Sequence, residues 1–133
     1  MRRHILVLTV IMVASLLGAP TVHAAPAPGV ITEFPISPGD PQGIALGADG
    51  NFWYVDLSTN KVARMTPTGT VTEFPIPTPN SGPRGIAAGP DGNIWFTEGT
   101  ANKIGRITPA GTITEFPLPT PGNPNFLTAG PDG

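Results

Sequence analysis

The phrase Thr-Glu-Phe-Pro occurs three times, at residues 32–35, 72–75 and 114–117, each time followed by the same order of turn residues. A chain that repeats at a fixed period folds as an array, because every unit offers its neighbours the same apolar faces. Aligned on the glycine before each phrase, the units run 29–68, 69–110 and 111–133, or 40, 42 and 23 residues. Their lengths differ only between the phrase and the next Pro-x-Gly, where a surface loop absorbs insertions.

Turn residues divide each unit into short strands. In the second unit the strands are 85–88, 93–98, 103–108 and 112–117, separated by 89–92, 99–102 and 109–111. Four antiparallel strands in about 42 residues mark one blade of an all-β propeller. Gly85, Ala87 and Ala88 suit the innermost strand, where room is scarcest, and Ile113 and Phe116 the widening wedge between blades. Gly and Pro make up 35 of 133 residues, a share found in disordered chains. Here they recur in register as punctuation, and the 12% charged content is too low to hold a chain open by repulsion.

Residues 1–24 read as a secretory leader: Arg2 and Arg3, an uncharged run over 5–17, then Val22-His23-Ala24 before Ala25. The run is shorter than the roughly 20 residues that span a bilayer, so cleavage is expected to leave no stable membrane span. Export to the periplasm or the extracellular space follows, with 25–28 as a short linker. Both histidines, His4 and His23, lie in this leader, and the chain has no cysteine. Residues 25–133 therefore exclude a Ser/His/Asp triad, a Cys/His pair and a histidine-bound zinc. Their five basic and nine acidic side chains form no basic patch for nucleic acid.

The string GPDGNIWFTEGTANKIGRITPAGTITEFPLPTP, from Gly89 onward, resembles the repeat of the virginiamycin B (streptogramin) lyase family. More distantly it is similar to NHL-repeat propellers. The resemblance implies a ring of seven blades, which at this period requires roughly 290 residues. The 105 residues from Gly29 would then be a truncated piece of about two and a half blades. Strand 30–35 would be the outermost strand of a blade whose inner strands lie beyond Gly133. The resemblance also implies a Mg2+-dependent C–O lyase that opens a cyclic depsipeptide lactone by elimination.

In that family the catalytic base is a histidine at the x of Pro-x-Gly or Pro-x-Ala in later blades. The corresponding residues here are Gln42, Arg84 and Asn125, and none of them is a base of that kind. They vary inside a fixed frame, which suits ligand-facing positions and equally suits plain solvent exposure. Asp56 and Glu98 end the second strand of successive units, where the resemblance and a ring of hard oxygen ligands both suggest a metal such as Mg2+. The competing structural reading pairs these carboxylates with Lys61 or Lys103, or leaves them solvated. Trp53 and Trp95 read as blade packing, Asp49, Asp91 and Asp132 as turn formers, and Asn60 and Asn102 as strand caps. Arg64 and Arg106 are expected to pair across blades with Glu33, Glu73 or Glu115.

Two functions follow. The first is an exported scaffold that binds a small molecule or a cell-envelope partner without chemistry in this segment. The second is the lyase, its catalytic groups supplied by other blades; a metal-dependent lactonase is a weaker third.

Overall fold

The computed structural model of the protein describes residues 5–8, 31–36 and 39–131. Among them are ten strands and no helix, hence none long and apolar enough to cross a membrane. The chain divides into two compact units, residues 1–37 and 38–133.

In the first unit β1 (Ile5–Leu8) pairs antiparallel with β2 (Thr32–Pro35), with Leu6 opposite Phe34 and Leu8 opposite Thr32. The strand expected to be outermost is thus paired here with part of residues 1–24, the stretch that the sequence reads as a leader. The expected cleavage point and the linker at 25–28 lie outside the described residues.

The second unit holds two four-stranded antiparallel sheets, each made from one repeat. The first runs β3 (Pro41–Leu46), β4 (Phe52–Asp56), β5 (Lys61–Met65) and β6 (Val71–Pro75). The second runs β7 (Pro83–Ala88), β8 (Ile94–Glu98), β9 (Lys103–Ile107) and β10 (Ile113–Pro117) in the same order. The expected strand limits hold to within two residues. Both hairpins turn on a glycine at positive φ, Gly50 at 75° and Gly92 at 77°, a conformation open to a residue without Cβ. The preceding aspartate caps the turn: Asp49 Oδ1 accepts from the Asn51 N–H at 3.1 Å and from Trp53 Nε1 at 3.2 Å. Asp91 repeats this with Asn93 and Trp95. Asp132 lies outside the described residues.

The core fills the wedge between the two sheets. Trp53, Val55 and Val62 of the first meet Ile94, Phe96 and Ile107 of the second, with Phe74, Ile86, Ala88 and Ile113 packed around them. At about 25 cal/mol per Å² of apolar surface, this burial dominates the stability of a chain built of such short strands. Trp53 stacks on Phe74 with ring centroids 5.8 Å apart, and the Arg64 guanidinium lies 5.6 Å from the Trp53 ring. Trp95, Phe116 and Arg106 repeat the stack.

The arginines therefore do not pair with glutamates, as the charge pattern suggested. Arg64 Nη1 donates to the Pro109 carbonyl of the next blade at 2.8 Å. Across blades the carbonyl takes the guanidinium, and within the blade strand alternation keeps the charges apart. Arg64 stands opposite Thr72, whereas Glu73 stands opposite Ala63 and points to the other face of the sheet. Glu73 meets Lys61 there, and Glu115 likewise meets Lys103 at 3.0 Å.

Candidate functional site

The innermost strands β3 and β7 lie side by side, and residues 123–127 continue the series against β7. Gly43 and Gly85 permit this approach. A Cβ on Gly43 would sit 3.0 Å from the Arg84 carbonyl oxygen, and one on Gly85 would sit 2.5 Å from that of Asn125. Thr97 Oγ1 reinforces the second contact, donating to the Asn125 carbonyl at 3.3 Å while accepting from the Gly85 N–H at 2.9 Å.

This spacing brings the three varying positions together. Gln42, Arg84 and Asn125 are all exposed and line one groove of about 470 Å³, walled by Ile44, Ile86, Phe126 and Leu127. Apolar walls with a few convergent polar groups are the usual make-up of a small-molecule site. Gln42 Nε2 is held by Asp40 Oδ1 at 2.8 Å. The Arg84 side chain makes no hydrogen bond or ion pair among the described residues, and it is the only charged residue lining the groove.

The loops gather where the sequence placed them. Asn60, at φ 57°, donates from Nδ2 to the Thr78 carbonyl at 2.9 Å and accepts from both the N–H and Oγ of Ser81 at 2.9 Å. Asn102, at φ 55°, holds the Thr120 carbonyl and the Gly122 N–H in the same way. These residues do more than cap a strand turn: each clamps the loop that leads to the following blade. Lys103, Glu115 and Thr78 latch that loop onto the second blade, with the Thr78 N–H donating to Glu115 Oε1 at 2.9 Å. Burial alone would push the Glu115 carboxyl up, but Lys103 and Thr78 outweigh it and hold the group below its ordinary value.

Asp56 and Glu98 diverge despite their shared register. Asp56 Oδ1 accepts from the N–H of Asp40 at 3.2 Å, the N–H of Thr59 at 2.9 Å and Ser58 Oγ at 3.0 Å. Burial raises this carboxyl, and the three donors more than reverse that, so it stays ionised inside its own turn. Glu98 is 0% exposed, and neither of its oxygens has a hydrogen-bond partner among the described residues. Its side chain is one methylene longer, and the amide equivalent to that of Thr59, the Ala101 N–H, is already given to the Ser81 carbonyl at 3.1 Å. Burial first, then the negative charge of Glu115, push Glu98 up to about 7 against the opposing pull of Lys103.

Neither carboxylate is paired with Lys61 or Lys103, which serve Glu73 and Glu115. Nor do they converge on a cation. A hard divalent ion takes six or more oxygens, and no cluster of three or more His, Cys, Asp or Glu close enough to hold one occurs among the described residues. Asp56 Oδ1 is engaged by its own turn and by Asp40, whereas both oxygens of Glu98 stand without a partner among the described residues.

A model of the virginiamycin B lyase family matches residues 18–133. The chain belongs to this family. Virginiamycin B lyase from Staphylococcus aureus, in selenomethionine form, superposes with a TM-score of 0.73 at 47% identity, over 77% of this chain and 36% of that one. A catalytically inactive variant of the Staphylococcus aureus enzyme, crystallised with quinupristin, gives 0.74 at 46%, over 78% and 36%. A streptogramin B lyase structure gives 0.75 at 42%, over 79% and 36%. The chain thus spans about a third of the length of these lyases. No curated protein matches it. The family's propeller fold agrees with the two blades seen here.

Proposed function

We propose that this member of the virginiamycin B lyase family is an exported β-propeller that binds a small molecule in the groove around its axis. The observation that carries this is the convergence of Gln42, Arg84 and Asn125, from three successive repeats, on a single groove. Export rests on the leader pattern of residues 1–24. Expressed with that leader in a bacterium, the protein should leave the cytoplasm and begin at Ala25. Intact mass of the periplasmic or secreted protein checks this, and retention of residues 1–24 would overturn it.

The second reading is a C–O lyase acting on a cyclic depsipeptide lactone, favoured by 42–47% identity to streptogramin lyases. Elimination needs a base at the α-proton and stabilisation of the enolate-like charge that develops. Mg2+ would supply that stabilisation in the family's chemistry. Residues 25–133 hold no histidine, and Glu98, titrating near 7, is sealed from any ligand. What this chain contributes is binding and orientation: hydrogen bonds from Gln42 and Asn125, a charge from Arg84, and apolar contact along the groove walls.

Quinupristin separates the two readings. The 133-residue chain should bind it through the groove and return it intact. A ring-opened product of unchanged mass, which elimination yields, would establish the lyase; a gain of one water would indicate hydrolysis. Absence of binding would remove streptogramins as the ligand class.

A further inference from the structure

Asp56 and Glu98 share one register, yet the loops beside them are held in different ways. In the first repeat the carboxylate grips the chain ahead of its own blade, since Asp56 Oδ1 accepts from the Asp40 N–H at 3.2 Å. In the second, buried Glu98 makes no hydrogen bond among the described residues. The corresponding loop, residues 76–82, is tied to the second blade by its neighbours instead. Glu115 accepts from the Thr78 N–H and Oγ1, both at 2.9 Å, while Lys103 Nζ donates to Thr78 Oγ1 at 2.6 Å and to Glu115 Oε2 at 3.0 Å.

Strand alternation puts these three charges on one face. Glu98 stands opposite Lys103, and Glu115 stands opposite Gly105, itself opposite Phe96, so all of them point with Phe96 towards the first sheet. Directly opposed side chains have Cβ atoms about 5 Å apart, which leaves the Lys103 ammonium within reach of either carboxyl. The remaining charges around them are turned elsewhere. On the facing side of the first sheet stands Arg64, whose guanidinium is given to the Pro109 carbonyl. Asp56, Lys61 and Glu73 point from the far side of that sheet, and Arg84 of β7 lines the groove. Both sheets that enclose Glu98 have their four strands.

We infer that Glu98 works a pH-sensitive latch: neutral, it leaves Lys103 to Glu115 and Thr78, and ionised, it draws Lys103 away and loosens the loop from the second blade. Burial and then the Glu115 charge set the switch point near 7. Below that value both blades hold the loop. Above it two carboxylates compete for one ammonium, and the Asn60 grip of the first blade is the hold that remains. The loop leads through Pro83 directly into Arg84 on the groove wall, so the rim there gains freedom as pH rises. The latch stands on these contacts and not on what the groove binds.

The test is a spin-label titration of the 133-residue chain. The chain has no cysteine, so Pro79→Cys carries a single nitroxide on an exposed loop residue. Its spectrum should be immobilised at about pH 5.5 and gain a mobile component with a midpoint near 7. The held-to-free ratio should fall about tenfold by pH 8.5, the change that one pH unit of displaced titration carries. With Glu98→Gln added, the label should stay immobilised throughout, and with Glu115→Ala added it should be mobile throughout. The same label at Pro121→Cys, on a loop held by Asn102, should show no response to pH. A spectrum at Pro79 that ignores pH overturns the latch, and so does a response that survives Glu98→Gln. An equal response at Pro121 would mean that the whole protein loosens, which also sinks it.

Discussion

Replacing Glu98 with glutamine should raise the melting temperature at pH 8 and remove a fall in stability between about pH 4.5 and 7. Glu98 is protonated more readily in the folded chain, where it titrates near 7, than in an unfolded one, where 4.5 is its ordinary value. Between those values the folded state binds more protons, so stability declines as pH rises and stays low above 7. The cost at pH 8 is about 3 kcal/mol, from a displacement of 4.5 to about 7 at about 1.4 kcal/mol per pH unit. Glutamine keeps the shape and removes the charge, so below about pH 4.5 the variant and the parent should melt alike. Asp49, Asp56 and Glu115 work in the opposite sense. Burial raises each of them, but their hydrogen-bond donors, helped at Glu115 by the Lys103 charge, hold them below the ordinary values. Their contribution is lost as pH falls through those lowered values. Stability should therefore peak on the acid side of neutrality, and thermal melts across pH 3–9 would show it. A parent protein most stable at pH 8 would contradict the assignment.

Asn60→Ala should cost about 3 kcal/mol, and Asn102→Ala about 1 kcal/mol, measured by denaturant unfolding. The difference lies in what each amide leaves behind. Removing Asn60 orphans the N–H and Oγ of Ser81, a residue that is 0% exposed. Removing Asn102 frees the Gly122 N–H, which water can reach. Both positions also have positive φ, where asparagine is tolerated better than alanine. Asn60→Gly isolates the hydrogen bonds, since glycine keeps the backbone and loses the amide. Equal losses at the two sites would mean that the loops are held by backbone conformation alone.

The strands and turns were legible because their determinants are local. An Asp-Gly turn, a β-branched run and a proline stop each act within a few residues, and the repeat gave two readings of every one. The partner of Arg64 was not legible, because it is a backbone carbonyl, that of Pro109, 45 residues away in the next blade. Alternation along β5 and β6 settles only that Arg64 and Glu73 of one blade stand on opposite faces. The reach of Asn60 was not legible, because its partners Thr78 and Ser81 lie 18 and 21 residues away. The difference between Asp56 and Glu98 was also hidden. Their shared register made them look alike, whereas one methylene and one occupied amide decide which carboxyl is satisfied. The varying positions Gln42, Arg84 and Asn125 line one groove because the innermost strands stand side by side, a juxtaposition that no local pattern displays.

The asparagine clamps have a consequence for how a surface of this kind changes over generations. Each grips its loop at fixed points, Thr78 and Ser81 in one case, Thr120 and Gly122 in the other, and leaves Pro79, Asn80 and Pro121 outside the grip. Residues inserted or lost at those ungripped positions alter the rim above the groove without moving a strand out of register. The rim can be rewritten freely while the frame beneath it stays the same, so new ligands can be tried without risking the fold.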